Sequence, residues 1–312
     1  QALNIIENVN KAVKGKSVVV SKVLMAILAK GHILMEDIPG VGKTTLALAF
    51  AKSMDLSQNR MQFTTDVLPS DVVGYSMYNS KTGEFEYKQG AVMCNLFLAD
   101  EINRTSSKTQ SALLEAMQER QVTIGDKTFP LDEPFLVMAT QNPIEQEGTY
   151  PLPEAQVDRF LLKVVIGYPS REEEKQIIRQ NITNGKKYIQ PLLKPEEIIE
   201  AQKVVEKIYI DEKIERYIVD IVFATRFPSD YGLNDLASII AFGASPRASI
   251  SLARAARSYA FLRQRGYVIP EDVRAVCHDV LRHRIGLTYE AEANNITADE
   301  IISEILDKVE VP

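Results

Sequence analysis

The sequence reads Asp37-Ile38-Pro39-Gly40-Val41-Gly42-Lys43-Thr44-Thr45 between an apolar run and a helix-like stretch that begins at Leu46. A strand, a glycine-rich loop and a helix in this order predict a loop that binds phosphate groups. Glycines let several backbone N–H groups point at one anion, and the N-terminus of the helix attracts negative charge. The pattern therefore predicts a site for a nucleoside triphosphate.

The residues of this loop have different expected tasks. The Lys43 ammonium should reach the terminal phosphates, and the Thr44 hydroxyl should bind Mg²⁺. Their neighbours should complete the nucleotide contacts, namely Pro39, Gly40, Val41, Gly42 and Thr45. The chain departs from the usual motif at its first position, where Asp37 replaces glycine. The alternative, a Gly/Pro turn beside a surface lysine, is disfavoured because both flanking elements have the required character.

Composition limits the class of protein. The chain has 312 residues, of which 45% are hydrophobic, so it is long enough for one large or two ordinary domains with a substantial core. Its net charge of −6 argues against a protein built to bind duplex DNA. Cys94 and Cys277 show no disulfide or zinc spacing, and no apolar run approaches the roughly 18 residues of a membrane span. We expect a cytoplasmic protein without membrane insertion.

The chain divides into two parts by pattern. The first part alternates short apolar strands with amphipathic helices, which predicts a parallel sheet with helices on both faces. The strand candidates are 32–35, 60–64, 96–99, 135–140 and 161–166. After Pro169 only helical patterns recur, and 181–187 is the expected linker. We therefore predict a nucleotide-binding α/β domain over 1–187 and a helical domain over 188–312.

Two insertions in the first domain have the pattern of β-hairpins. They cover about residues 74–88 and 121–131, with Gly, Asn or Asp at their turns and alternating neighbours. The first is rich in aromatic side chains, which either pack within the hairpin or grip a client protein. Cross-strand aromatic pairs are common in hairpins, so packing is favoured.

The strand over 96–99 is followed directly by two carboxylates, Asp100 and Glu101. The carboxyl edge of an open parallel sheet is where ligands bind, so Asp100 is expected beside the phosphate-bound Mg²⁺. Glu101 is then the residue that polarises the attacking water. The alternative is an acidic loop after a core strand, and the preceding phosphate loop disfavours it.

Three further polar residues are candidates for the same chemistry. Asn142, and less so Gln141, follows a buried strand, and its neutral amide suits both the γ-phosphate and the water. Arg159 has the planar fork that stabilises a transferring phosphoryl group, including that of a neighbouring subunit, and a surface ion pair with Asp158 is its alternative. Arg247 lies in the first turn of a helix opened by proline and is a candidate to contact the γ-phosphate.

These motifs together resemble the MoxR family of AAA+ ATPases. The matching stretches occur in order along nearly the whole chain, at 37–44, 61–64, 68–71, 98–104, 113–121, 139–143, 152–160, 243–248 and 281–285. The resemblance implies an AAA+ core with strand order 5-1-4-3-2, a C-terminal helical lid and ATP between them. It also implies that Asn142 is the first sensor, Arg159 the arginine finger and Arg247 the second sensor, with Val13 in the adenine pocket. Asp100 would bind Mg²⁺ through water.

The resemblance further implies a biological role. Relatives form rings, often hexamers, and act as chaperone-like factors that mature partner complexes or help to insert metal. Their partners are commonly von Willebrand factor A-domain proteins. The open alternatives are a chelatase-type motor for tetrapyrrole metal insertion, an AAA+ motor on nucleic acid, and a scaffold that binds ATP but seldom hydrolyses it.

Overall fold

The computed structural model forms two compact units. It describes residues 1–37, 42–143, 148–183 and 188–312. The first unit comprises Gln1–Pro153 with Val164–Glu200, and the second comprises Glu154–Lys163 with Ala201–Pro312. The division therefore falls later than the predicted boundary at 187, and a short segment that reaches into the last core strand belongs to the second unit. Hydrogen bonds from Arg284 of the second unit to the backbone of that segment hold the segment in this unit.

A five-stranded sheet forms the centre of the first unit. The strands of the chain are β1 (Ile33–Asp37), β2 (Gln58–Gln62), β3 (Gly74–Asn79), β4 (Glu84–Gln89), β5 (Leu96–Asp100), β6 (Gln121–Ile124), β7 (Lys127–Pro130), β8 (Leu136–Gln141), β9 (Leu162–Ile166), β10 (Ile240–Phe242) and β11 (Gly286–Leu287). The sheet order is β2-β5-β8-β1-β9. Counted along the chain, these five strands have the order 5-1-4-3-2, which confirms the prediction. The central strands β5 and β8 are continuous apolar runs because both of their faces are covered.

Helices surround this sheet and build most of the second unit. They are α1 (Ala2–Ala12), α2 (Ser17–Leu28), α3 (Lys43–Ser53), α4 (Pro69–Val73), α5 (Ser107–Glu119), α6 (Glu154–Val157), α7 (Arg171–Thr183), α8 (Pro195–Glu206), α9 (Glu212–Arg226), α10 (Pro246–Leu262), α11 (Pro270–Leu281), α12 (Tyr289–Ala293) and α13 (Ala298–Lys308). Helix α7 includes the first residues of the expected linker. Among the described residues, none of the helices combines the length and apolarity needed to span a bilayer.

Both predicted hairpins are present in the first unit. Strands β3 and β4 pair with each other, as do β6 and β7. The ring of Tyr87 stacks on that of Phe129 with centroids 4.1 Å apart, so the two hairpins contact each other. Tyr78 and Phe85 also touch, yet they are 56% and 65% exposed. Aromatic packing therefore accounts for part of this surface only.

The second unit is mainly helical, as predicted, but it also contains strands. Strands β10 and β11 form an antiparallel pair that the sequence pattern did not indicate. Each strand has only two or three residues, which is too short to show an alternating pattern. The long helices α10 and α11 pack on each other and carry the buried residues of this unit.

Candidate nucleotide site

Asp100 is the centre of a polar cluster at the carboxyl edge of the sheet. Its Oδ1 accepts a hydrogen bond from Thr140 Oγ1 at 2.6 Å and lies 3.3 Å from Lys43 Nζ. Parallel pairing of β5 with β8 brings Asp100 beside Thr140, because Ala99 pairs with Ala139. The structure therefore brings Lys43 of the predicted phosphate loop and the first carboxylate together.

A second cation contacts the same carboxylate. Arg60 extends from β2 and places Nη2 2.9 Å from Asp100 Oδ2. Burial disfavours the charged form of Asp100, but the hydrogen bonds from Thr140, Arg60 and Lys43 outweigh it and lower the pKa of the carboxyl. Asp100 is therefore held as an anion in an enclosed site. This is the state that a ligand of Mg²⁺ requires.

After β1, the described part of the predicted phosphate loop resumes at Gly42. Its φ of 77° lies in the left-handed region that glycine adopts without strain, and α3 starts at the next residue. Lys43 and Thr44 therefore occupy the first turn of an 11-residue helix, and the N-terminus of a helix attracts anions. The predicted contacts at Pro39, Gly40 and Val41 lie outside the described residues. Thr45 is exposed in the same first turn.

Glu101 follows β5 in a left-handed backbone conformation, with φ 56° and ψ 54°. This conformation is uncommon for residues other than glycine and often occurs at functional sites. Its N–H donates to Thr140 Oγ1 at 2.9 Å, so one hydroxyl organises both acidic residues. The carboxylate of Glu101 pairs with Arg104, with Nη1 2.9 Å from Oε2.

Asn142 lies directly after β8, at the same edge of the sheet as Asp100 and Glu101. Its carbonyl oxygen accepts a hydrogen bond from Asn103 Nδ2 at 3.3 Å, which fixes the backbone beside the acidic residues. Gln141 is the last residue of β8 and is half-buried. Val13 is buried after the end of α1, and its contact with adenine stays a prediction.

The remaining two predicted residues belong to the second unit. Arg159 follows the short helix α6, and its Nε is buried without a hydrogen-bond partner within the described ranges. Arg247 is exposed in the first turn of α10. Asp158 does not form the alternative ion pair with Arg159. Its carboxylate pairs instead with Arg284, whose Nε lies 2.7 Å from Oδ1.

Sequence reasoning missed two residues of the polar cluster, Arg60 and Thr140. Arg60 stands on an edge strand of half-buried and exposed residues, so its sequence resembles that of any solvent-facing strand. Thr140 is a β-branched residue inside an apolar run. Such residues are common in strands, so its position gives no sign of a role in the site. Only the register of the sheet reveals that both side chains face Asp100.

Comparison with known proteins agrees with this geometry. Residues 32–162 match the model of the ATPase family associated with various cellular activities (AAA), and residues 235–305 match the AAA lid domain. Chaperone MoxR1 of Mycobacterium tuberculosis is 48% identical over 305 residues, which cover 97% of this chain and 80% of the relative. The MoxR protein of Methylorubrum extorquens is 30% identical, with 97% and 92% coverage.

A solved structure supports the same relationship. It is that of a Cytophaga hutchinsonii protein assigned as an ATPase, which has a TM-score of 0.93 and 50% identity to this chain. The similarity covers 99% of this chain and 94% of the other. The agreement of sequence, sheet order and polar cluster leads to one conclusion. This chain belongs to the MoxR family of AAA+ ATPases.

Proposed function

We propose that this protein is a Mg²⁺-dependent ATPase that converts ATP and water to ADP and phosphate and uses the cycle to remodel client proteins. The observation that carries the proposal is the Asp100 cluster. An enclosed carboxylate anion lies 3.3 Å from the phosphate-loop lysine, beside the N-terminus of α3. A cation beside the N-terminus of a helix suits a triphosphate, while a carboxylate and the Thr44 hydroxyl suit Mg²⁺. The donor set therefore fits both groups.

Each residue of the site has a proposed task. Lys43 and the first amides of α3 bind the terminal phosphates, and Thr44 and Asp100 hold Mg²⁺, Asp100 through water. Bound Mg²⁺ neutralises charge on the phosphates. Glu101 takes a proton from the attacking water, and Asn142 orients that water. Thr140 holds Asp100 and the Glu101 amide in place through its single hydroxyl.

Arg159 is proposed to act on the ATP of a neighbouring subunit in a homo-oligomeric ring, which we propose is an ATP-dependent hexamer. The buried, unpartnered Nε of Arg159 among the described residues supports this role, because such donors are rare unless a partner completes them. An arginine finger contributes about 10³–10⁵ in rate. Arg247 is proposed to read the γ-phosphate within its own subunit.

Two substitutions test the ATPase proposal. Lys43→Ala should abolish ATP binding, since it removes the cation that reaches the phosphates. Glu101→Gln should bind ATP with normal affinity but hydrolyse it at least about a hundredfold more slowly, because the amide cannot accept a proton. Nucleotide titration and phosphate release measure the two effects. Normal turnover by Glu101→Gln would refute the role of Glu101.

The client is proposed to be a protein complex that matures in the cytoplasm, with a von Willebrand factor A-domain protein as partner and metal insertion as one use of the cycle. The relative named Chaperone MoxR1 supports a chaperone-like role. Capture with Glu101→Gln in ATP should recover the A-domain partner and its client. Recovery of tetrapyrrole chelatase subunits, or salt-sensitive stimulation of the ATPase by DNA, would favour the alternative motors instead.

A further inference from the structure

Arg284 is a buried arginine in the stretch 281–285, which the functional assignment above leaves without a task. It is 5% exposed and lies just after α11. Its guanidinium faces the segment Glu154–Lys163, which carries Arg159 and belongs to the same compact unit. The two segments are more than a hundred residues apart in sequence, and this contact joins them.

Three of the hydrogen bonds that Arg284 donates are directed at the backbone on both sides of Arg159. Nη2 donates to the carbonyl oxygen of Asp158 at 2.9 Å and to that of Phe160 at 2.8 Å. Nη1 donates to the carbonyl of Leu161 at 3.2 Å. A planar guanidinium carries five N–H donors in a fixed geometry, so these bonds set both the position and the orientation of the backbone at Arg159.

Asp158 connects the same point to a second element. Its Oδ1 accepts from Arg284 Nε at 2.7 Å, and its Oδ2 accepts from Ser245 Oγ at 3.0 Å. Ser245 is the residue before α10, and Arg247 lies in the first turn of that helix. We call Arg284, Asp158 and Ser245 the Arg284 cluster. It joins the backbone at Arg159 to the beginning of the helix that carries Arg247.

Stability alone does not account for this cluster. A buried ion pair gains little over well-packed apolar residues of similar volume, because both charges lose their hydration. An arginine finger, by contrast, requires accurate placement, since a misplacement of about 1 Å can reduce a rate by about a hundredfold. A rigid polar clamp on the adjoining backbone provides such accuracy, because each of its bonds has a preferred direction.

We propose that the Arg284 cluster is a positioning device that aims Arg159 at the nucleotide of the neighbouring subunit. This inference rests on the proposed role of Arg159 as a finger supplied in trans. Arg284 and Asp158 are positioning residues, since they act through the backbone of Arg159. Ser245 joins that device to α10. A displacement of the first turn of α10 therefore shifts the Asp158 carboxylate, and with it the backbone at Arg159.

Rings that mix two variants separate the positioning of Arg159 from changes in a subunit's own nucleotide site. The acceptor subunit is Arg159→Ala, which keeps its own site but supplies no finger. The donor is Glu101→Gln, which cannot hydrolyse but supplies an intact finger. Turnover in the mixture arises where a donor finger meets an acceptor site. The test compares this donor with donors that also carry Arg284→Lys or Ser245→Ala.

Arg284→Lys keeps the charge but loses the planar fork, so that donor should restore at least about tenfold less turnover than the plain donor. Ser245→Ala removes one hydrogen bond without disturbing the core, and that donor should also rescue less well. The matched control is Arg265→Lys, which alters another Arg–Asp pair of the same unit, at Asp272. That donor should rescue fully, and size-exclusion chromatography should show mixed rings in every case.

The outcomes separate this inference from the proposed function. Equal rescue by the plain, Arg284→Lys and Ser245→Ala donors would overturn the positioning role and leave the finger intact. Failure of the plain donor to rescue, in mixed rings shown to form, would instead refute the trans finger, and the positioning role with it. Equal loss with the Arg265→Lys donor would show a general stability effect and would also overturn the proposal.

Discussion

The side chain of Glu101 is engaged by a partner that does not belong to the proposed chemistry. Arg104 Nη1 lies 2.9 Å from its carboxylate, and the two side chains are 52% and 27% exposed. The carboxylate must leave this ion pair before it can accept a proton from the attacking water. Because the pair is solvated, its contribution is at most about 1 kcal/mol.

Arg104→Ala should therefore raise the basal rate of ATP hydrolysis by up to about fivefold, which corresponds to about 1 kcal/mol. Arg104→Lys keeps a cation at this position and is the matched control, with a rate near that of the wild type. Steady-state phosphate release at saturating ATP measures both. A rate of hydrolysis at least a hundredfold lower in Arg104→Ala would contradict this prediction, and would indicate that Arg104 contacts the nucleotide.

Between elements, the Thr140 hydroxyl links β8 to the end of β5. It donates to Asp100 and accepts from the Glu101 amide. Thr140→Val keeps the shape but leaves both partners without this hydrogen bond in an enclosed site, so it should lower the free energy of unfolding by about 1–3 kcal/mol. It should also slow hydrolysis, because both acidic residues lose their anchor.

Thr140→Ser is the control for this experiment, since it retains the hydroxyl and loses only a methyl group. Urea unfolding of both variants, with ATPase assays at the same temperature, measures the two effects. If Thr140→Val were as stable and as active as Thr140→Ser, the hydroxyl would have no organising role.

The elements of the first unit could be predicted because their patterns are local. Strands β5 and β8 are apolar runs that end in polar groups, and the turn residues of both hairpins are adjacent in sequence. The contacts of Arg60 and Arg284 could not be predicted in this way, because each joins residues far apart in the chain. A charged residue in a sequence is usually expected at the surface, and only the three-dimensional packing shows that Arg284 is buried.

The end of α11 also carries a pH-sensitive contact. His283 is half-buried, but its Nδ1 is fully enclosed, and its Nε2 donates to the Phe160 carbonyl at 2.8 Å. Burial, followed by the nearby charge of Arg284, lowers the pKa of His283 well below its ordinary value, and Lys163 and Arg282 act in the same direction. The folded protein therefore keeps this imidazole neutral at pH values where the unfolded chain protonates it.

The sign of the effect follows from proton binding. Below the ordinary histidine pKa of about 6.5, the unfolded state binds more protons, so the free energy of unfolding falls by up to about 1.4 kcal/mol per pH unit. The stability that the neutral His283 contributes is therefore fully present above pH 6.5 and is lost as the pH falls. His283→Gln keeps a donor for Phe160 but cannot titrate, so its unfolding free energy should decline less between pH 7 and pH 5. Identical slopes in the two proteins would contradict the assignment.

For the whole molecule, the division into two units places the proposed catalytic groups on different parts of the chain. Lys43, Asp100 and Glu101 belong to the first unit, whereas Arg159 and Arg247 belong to the second. If Arg159 serves a neighbouring subunit, a single chain does not contain a complete site. Hydrolysis then depends on assembly, since the finger is absent from any subunit that lacks a neighbour.

The specific ATPase activity should therefore rise with protein concentration and reach a plateau once rings are complete. The gain from dilute to assembled protein should approach the 10³–10⁵ that an arginine finger contributes. Arg159→Ala should show the low rate at every concentration while assembling normally, because only the catalytic guanidinium is removed. Light scattering run alongside the phosphate assay relates the rate to the size of the assembly. A specific activity independent of concentration, measured across the range in which the assembly dissociates, would show that each subunit completes its own site.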